Sequence, residues 1–280
     1  LGVVLGEQAI TVTWDEPAST GGDPIVGYRV GVDGVWSQVP GGGAARSYTF
    51  PAVPGRRYAV AVQAYNTVGT GPSADNTGQI WTAPGPVVAL AAVDVAAPGT
   101  AWGDGAVELT WSVPAVTGGE GITVDRYRIE VLGIATYETS ATSYTVRGLL
   151  GGAGQQFTVA ARNSQGEWGP ATAVGATPST VPDVVAFGAP DLTAAPRVTF
   201  SWQAPADGGA PVTSYRVVVT GDRGTTVRSE QAGRSIVVDA KPGETLTVTV
   251  EARNALGLGA PSVLPDVVVP DPVAPAAPGG

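Results

Sequence analysis

Any chemistry in this chain must be done without cysteine and without histidine, because its 280 residues contain neither. That excludes thiolate nucleophiles, His-based triads, Cys/His metal sites and disulfides. What remains are 24 carboxylates, 15 cationic side chains of which only Lys241 is a lysine, and 7 tryptophans. Two carboxylates facing one another across a cleft can hydrolyse a glycoside. Here the acidic residues fall mostly in turns or on outward strand positions, and they imply no cleft. No phosphate-cradling loop, EF-hand or other metal-ligand spacing is present. The chain is therefore expected not to be an enzyme and to carry no cofactor or metal.

Tryptophans are the other residues able to do chemistry, as flat platforms for a sugar or a protein partner. Trp14, Trp111 and Trp202 belong to a repeat and are taken as core. Trp36 follows the hairpin signal Asp33-Gly34 and reads as a packed strand residue. Trp81 sits between Ile80 and Thr82, so it points away from its own core if Ile80 points in, and it adjoins a proline-rich joint. Packing between domains and ligand contact both fit it. Trp102, in Ala101-Trp102-Gly103-Asp104-Gly105, and Trp168, in the loop after Asn163, are either structural or part of a contact site. Trp81, Trp102 and Trp168 are thus the candidate contact residues. Arg216, Arg223, Arg228 and Arg234 are interleaved with Asp222, Glu230 and Asp239, the pattern of a mixed, solvated face.

The net charge is −9. With no basic module, a surface tracking nucleic acid or anionic lipid is not expected. No stretch approaches the ~18 apolar residues that a membrane-inserted helix needs.

The elements that position these residues are set by a threefold repeat. Each repeated Trp is followed by Pro three residues on, at Pro17, Pro114 and Pro205. Each is followed 52 residues on by an Asn, pairing Trp14 with Asn66, Trp111 with Asn163 and Trp202 with Asn254. Residues alternate with period two before every Trp (Ile10, Val12, Trp14; Val107, Leu109, Trp111; Val198, Phe200, Trp202). They alternate again at Tyr28-x-Val30, Tyr127-x-Ile129 and Tyr215-x-Val217, and before each Asn. Such segments are half-buried antiparallel strands. Weaker strands are expected at Tyr48 to Phe50, Tyr144 to Val146 and Ile236 to Val238. Closing strands are expected near Ile80 to Thr82, Val174 to Thr177 and Asp266 to Val269. With 40 Gly and 24 Pro supplying turns, about seven short strands per unit and no helix signal predict an all-β, two-sheet sandwich repeated three times.

This pattern, W-x-x-P, then Y-x-V, then P-G-x-x-Y-x-V-x-V-x-A-x-N-x-x-G-x-G-P-S, resembles the fibronectin type III domain, in its bacterial or phage extracellular form. The first unit carries it nearly letter for letter from Pro54-Gly55 through Tyr58, Asn66, Gly69, Gly71, Pro72 and Ser73. The resemblance implies immunoglobulin-like sandwiches in an extended string: module one over residues 1–84, module two over 85–179, module three over 180–269, and a Pro-rich tail or linker over 270–280. It also implies that the Tyr58 hydroxyl bonds back to the preceding turn. Gln155 and Leu246 stand at that position in modules two and three, so neither has this bond. Module one, with about a dozen residues before Trp14, is expected to begin inside its first strand. Proline-bounded joints at Pro84-Gly85-Pro86 and Pro178 to Pro182 predict stiff connections, the first the stiffer because of Trp81.

The implied function is a non-catalytic extracellular or surface scaffold that spaces flanking domains of a longer polypeptide. Two alternatives stay open. One is a structural subunit of an assembly such as a phage tail, virion or surface filament, with other subunits as partners. The other is an adhesive module that binds polysaccharide or protein through exposed Trp. No Arg-Gly-Asp tripeptide occurs, so integrin-type adhesion has no motif.

Overall fold

The computed structural model describes residues 1–271; the expectation for the proline-rich tail lies almost wholly outside them. Three sandwiches follow one another, each with its own buried cluster. In the first, β1 (Gly2–Leu5), β2 (Ala9–Thr13) and β5 (Ser47–Pro51) form one sheet in the order β1-β2-β5. The facing sheet is β4-β3-β6-β7, from β3 (Gly27–Val32), β4 (Val35–Gln38), β6 (Arg57–Tyr65) and β7 (Thr70–Gln79).

The second repeats this plan. Its β8 (Val88–Asp94), β9 (Gly105–Ser112) and β12 (Ser143–Leu149) form the order β12-β9-β8. They face β11-β10-β13-β14, from β10 (Val124–Val131), β11 (Ala135–Thr139), β13 (Gln155–Asn163) and β14 (Thr172–Ala176). In the third, β15 (Arg197–Ser201) pairs β18 (Ser235–Asp239). The other sheet runs β17-β16-β19, from β16 (Ser214–Gly221), β17 (Thr226–Gln231) and β19 (Thr245–Asn254), with β20 (Gly257–Leu258) and β21 (Ser262–Val268) also on β19. Among the described residues no helix is long and apolar enough to cross a membrane.

Period-two alternation carries through to burial. Ile10, Val12 and Trp14 are at most 7% exposed, while their neighbours Thr11 and Thr13 are half-buried. Each repeated Trp packs on the Tyr of the facing sheet. Ring centroids are 5.4 Å apart for Trp14 and Tyr28, 5.3 Å for Trp111 and Tyr127, and 5.6 Å for Trp202 and Tyr215. Pairs at this spacing add to the large apolar area that each ring removes from water. The indole Nε1 is buried and unpartnered in all three modules, so this is a property of the shared core.

Two expectations need correction. The first closing strand is not at Ile80 to Thr82 but at β7, whose Thr70–Gln79 sequence is polar and Gly-bearing. It becomes a strand because β6 offers it a full edge, with Arg57 opposite Gln79 and Gln63 opposite Ser73; tertiary pairing overrides low β-propensity. The most reduced first strand is that of module three. Module one has β1 paired with β2 from Gly2 opposite Thr13 to Leu5 opposite Ile10. Module three has only isolated bridges, Phe187 to Trp202 and Asp191 to Thr199. Pro190 lies between them with no N–H to donate to a ladder. Finally, β4 is the strand that holds Trp36, but the equivalent hairpin strands β11 and β17 have no counterpart among the predicted strands.

The corner bond is present where it was expected. The Val53 N–H donates to the Tyr58 hydroxyl at 2.8 Å. Module two has in its place a long bond from Gln155 Nε2 to the Ala153 carbonyl at 3.4 Å.

Candidate functional site

Trp81, Trp102 and Trp168 make no ring pair with one another. Trp81 is 43% exposed beside the first joint, while Ile80 before it is core at 9%. Trp168 is half-buried and clasped by two cations, with the Arg128 guanidinium 4.8 Å and that of Arg162 5.7 Å from its ring. Its ring is thus covered by its own module. Trp102 is half-buried in the loop between β8 and β9. Trp36 lies flat on Gly31, with ring atoms about 3 Å from where a Cβ would stand, and Arg29 sits 5.0 Å from its centroid. Trp36 is thus a strand residue, as expected, packed on one side by Gly31 and Arg29 and 39% exposed overall. Of the arginines interleaved with acids in module three, Arg216 pairs with Glu251 and Arg223 donates to the Pro242 carbonyl, while Arg253 pairs with Glu230 and Arg197 with Asp239.

The residues that act across modules are instead the repeated asparagines and the glycines opposite them. In each module the Asn side chain closes the turn after its own strand. Asn163 Oδ1 accepts the Gln165 and Glu167 N–H groups at 3.1 and 3.0 Å, and Asn254 Oδ1 accepts those of Leu256 and Gly257 at 2.9 and 3.2 Å. Its Nδ2 then points outward to two carbonyls. Asn163 donates to Thr82 of the preceding linker at 2.9 Å and to Thr117 of its own module at 3.3 Å. Asn254 donates to Thr180 of the preceding linker and to Asp207 of its own module, both at 2.8 Å.

The linkers complete the joint with backbone bonds. The Thr82 N–H donates to the Gly118 carbonyl at 2.9 Å, and the Thr180 N–H to the Gly208 carbonyl at 2.8 Å. Gly118 (φ 111°) and Gly208 (φ 74°) need glycine twice over. Their conformation is left-handed, and a Cβ on either would strike the linker carbonyl. Gly169 and Gly259 serve the same end with no φ requirement: a Cβ there would collide with the carbonyls of Pro84 and Pro182. The Thr82-Ala83-Pro84 and Thr180-Val181-Pro182 segments are thus pressed into equivalent grooves.

A second contact ties each linker to the turn ahead of the sixth strand. The Gly55 N–H donates to the Ile80 carbonyl at 2.6 Å, the Gly152 N–H to that of Pro178 at 2.9 Å. At the first joint the Glu120 N–H donates across to Gly55 at 2.9 Å, and Gln79 Nε2 bridges the Gly55 and Glu120 carbonyls, both at 3.1 Å. At the second, the loop before β9 joins in. The Gly99 N–H donates to Leu256, and the Thr100 carbonyl accepts from Val181, at 2.7 and 2.9 Å. That loop is the insertion holding Trp102, so these two bonds are particular to the second joint.

With three Trp–Tyr sandwiches and an Asn clamp in each, the architecture can be compared with known families. The model of the fibronectin type III domain matches residues 3–79 and 189–265, together more than half of the chain. The chain belongs to the fibronectin type III family. The chain is similar to fibronectin type-III domain-containing protein 3a of Gallus gallus, at 27% identity over 273 residues, covering 90% of this chain and 22% of that protein. Identity to fibronectin type-III domain-containing protein 3A of Mus musculus is 25% over the same length and coverage. The chain thus spans about a fifth of the length of these relatives. Module two lies between the two matched fibronectin type III stretches. It departs most from the pattern, at Gln155 and in the Gly151 to Gly154 turn, yet its strands β8 to β14 and its Trp111–Tyr127 pair repeat the sandwich.

One buried group escaped sequence reasoning altogether. Glu244, in the turn before β19, is 0% exposed. Burial pushes its carboxyl up, but hydrogen bonds from the Thr225 hydroxyl and the Lys241, Thr225 and Arg223 N–H groups outweigh this and hold it at about 2. Those bonds tie the turn to the β16–β17 hairpin, at 2.6 Å from the hydroxyl and 2.9, 2.9 and 3.2 Å from the amides.

Proposed function

We propose that this chain is a non-catalytic spacer and interaction scaffold, working outside the cell or on its surface, in which the joints set the orientation of successive modules. The observation that carries this reading is that both joints use one bond pattern. A linker threonine donates to a loop glycine, and its carbonyl accepts from the Asn at the end of the next module's sixth strand. A linker that only tethered would have no reason to repeat these contacts. Membership of a family whose domains carry no catalytic constellation supports the non-enzymatic reading, and Trp81 is the exposed aromatic beside a joint through which a partner could engage the scaffold.

The test is small-angle scattering of the 280-residue chain with and without Gly169→Ala. A compact chain of this length would have a radius of gyration of about 19 Å. Three modules held in line should clearly exceed it. The added methyl strikes only the Pro84 and Gly85 backbone, so it should broaden the distance distribution while each module melts as before. A radius near the compact value, or a distribution unmoved by Gly169→Ala, overturns the spacer reading.

A further inference from the structure

The groove that receives a linker in modules two and three exists in module one as well, and there it is empty. Every element has its counterpart. Asn66 Oδ1 accepts the Val68 and Gly69 N–H groups at 3.0 and 3.1 Å, as Asn163 and Asn254 do in their turns. Asn66 Nδ2 donates to the Thr20 carbonyl at 2.9 Å, the position held by Thr117 and Asp207 in the later modules. Gly21 (φ 74°) matches Gly118 and Gly208, and Gly71 matches Gly169 and Gly259.

The difference lies in what stands opposite. The Cβ positions of Gly118, Gly208, Gly169 and Gly259 all run into a linker carbonyl. At Gly21 the nearest atom is Asn66 Nδ2 at 3.9 Å, and at Gly71 it is the module's own Ala64 carbonyl at 3.5 Å. The second Asn66 N–H, lacking a linker carbonyl, reaches only the Asp23 carbonyl at 3.4 Å. These residues line a cleft of about 800 Å³ floored by Trp14, Pro17 and Tyr28. Tyr28 is 1% exposed, and its hydroxyl has no partner.

We propose that this pole of module one is a docking socket for the Thr-x-Pro linker of a fibronectin type III module placed ahead of it in the same polypeptide. The inference rests on the spacer reading, since it extends to module one the joint that reading describes. Recognition would be by linker backbone: the threonine N–H to the Gly21 carbonyl, its carbonyl to Asn66 Nδ2, and the proline carbonyl against Gly71. Strand register supplies the path. Gly2 pairs with Thr13, the residue before Trp14, and Ala91 pairs with Thr110, the residue before Trp111. Gly2 therefore occupies the place of Ala91, and a chain continuing upstream as residues 82–90 do would bring its Thr-x-Pro into the cleft.

The experiment joins a second copy of residues 1–90 directly ahead of Gly2 of the full chain. Amide hydrogen exchange of the Asn66, Asn163 and Asn254 side chains in the original modules is then followed by NMR. Exchange at Asn66 should slow by about tenfold relative to the unfused chain, the factor expected of one net hydrogen bond, and the Gly21 and Gly71 amide shifts should move. Gly71→Ala should leave the unfused chain unchanged, because nothing but Ala64 is near, yet abolish both effects in the fusion. If Asn163 and Asn254 are protected while Asn66 and Gly71 do not respond to fusion, the socket is refuted and the spacer reading stands. If none of the three is protected, the spacer reading fails with it.

Discussion

Modules one and three bury the same Trp–Tyr pair, but they tie down the turn ahead of the sixth strand by opposite means. In module one the turn supplies a cation and a phenol. Arg56 reaches Asp33 on the neighbouring hairpin at 2.6 Å, and Tyr58 accepts the Val53 N–H. In module three the turn supplies the anion: Glu244 is sunk beneath the surface and accepts four donors, three of them from the hairpin and one from its own turn. Leu246 takes the Tyr58 position as a purely apolar residue at 0% exposure. The core is common property, whereas the corner is a local solution that need only satisfy the same backbone groups. A buried carboxylate with every lone pair engaged does so as well as a phenol, but it introduces a dependence on pH.

The largest expected effect concerns what the modules share. Trp202→Ala should lower the stability of module three by roughly 3–5 kcal/mol, and Trp14→Ala should do the same to module one, because both rings are under 10% exposed. Calorimetry that resolves the two transitions checks this; a module three that melts like wild type would remove Trp202 from the core.

The corner difference should appear next, as an acid transition belonging to module three. A carboxyl held at about 2 against an ordinary 4.5 contributes stability that is complete above about 4.5. That contribution is lost as pH falls from there towards about 2. Module one has no carboxylate at this position. In wild type, module three should therefore lose more melting temperature than module one between these pH values. Glu244→Gln should lower its melting temperature at pH 7 and flatten the acid dependence. Parallel acid loss in both modules, or an unchanged slope in Glu244→Gln, would contradict the role given to Glu244.

Smallest is the phenol. Tyr58→Phe should cost module one about 0.5–1.5 kcal/mol, the net worth of one hydrogen bond, with no change in module three. An unaltered melting temperature would show that water replaces the hydroxyl at Val53 without loss.

The two joints differ as well. The sequence points to Trp81 as the element that would stiffen the first, yet Trp81 is 43% exposed, and the bonds particular to each joint come from elsewhere: Glu120 and Gln79 at the first, Gly99 and Thr100 at the second. An aromatic next to a joint is visible in a sequence. A loop that crosses to a carbonyl some 150 residues away is not, because its contribution is main chain and leaves no side-chain signature. The same reason hid the asparagines' part in the joints. Their fixed spacing from the tryptophans was legible as a mark of the repeat. What Nδ2 binds, however, is a backbone carbonyl 81 residues earlier for Asn163 and 74 earlier for Asn254.

By itself, the sequence determined three sandwiches and their Trp and Tyr cores; the corner bond of Tyr58 followed from the family resemblance. Period-two burial and residue size act locally and read directly from side-chain type. Tertiary structure alone decided that polar Thr70–Gln79 is a strand, that Glu244 is buried and ionised, and that modules two and three each hold the linker before them in a groove. Each of these depends on which unpaired backbone N–H and C=O groups meet across the fold, and those groups are the same in every residue except proline.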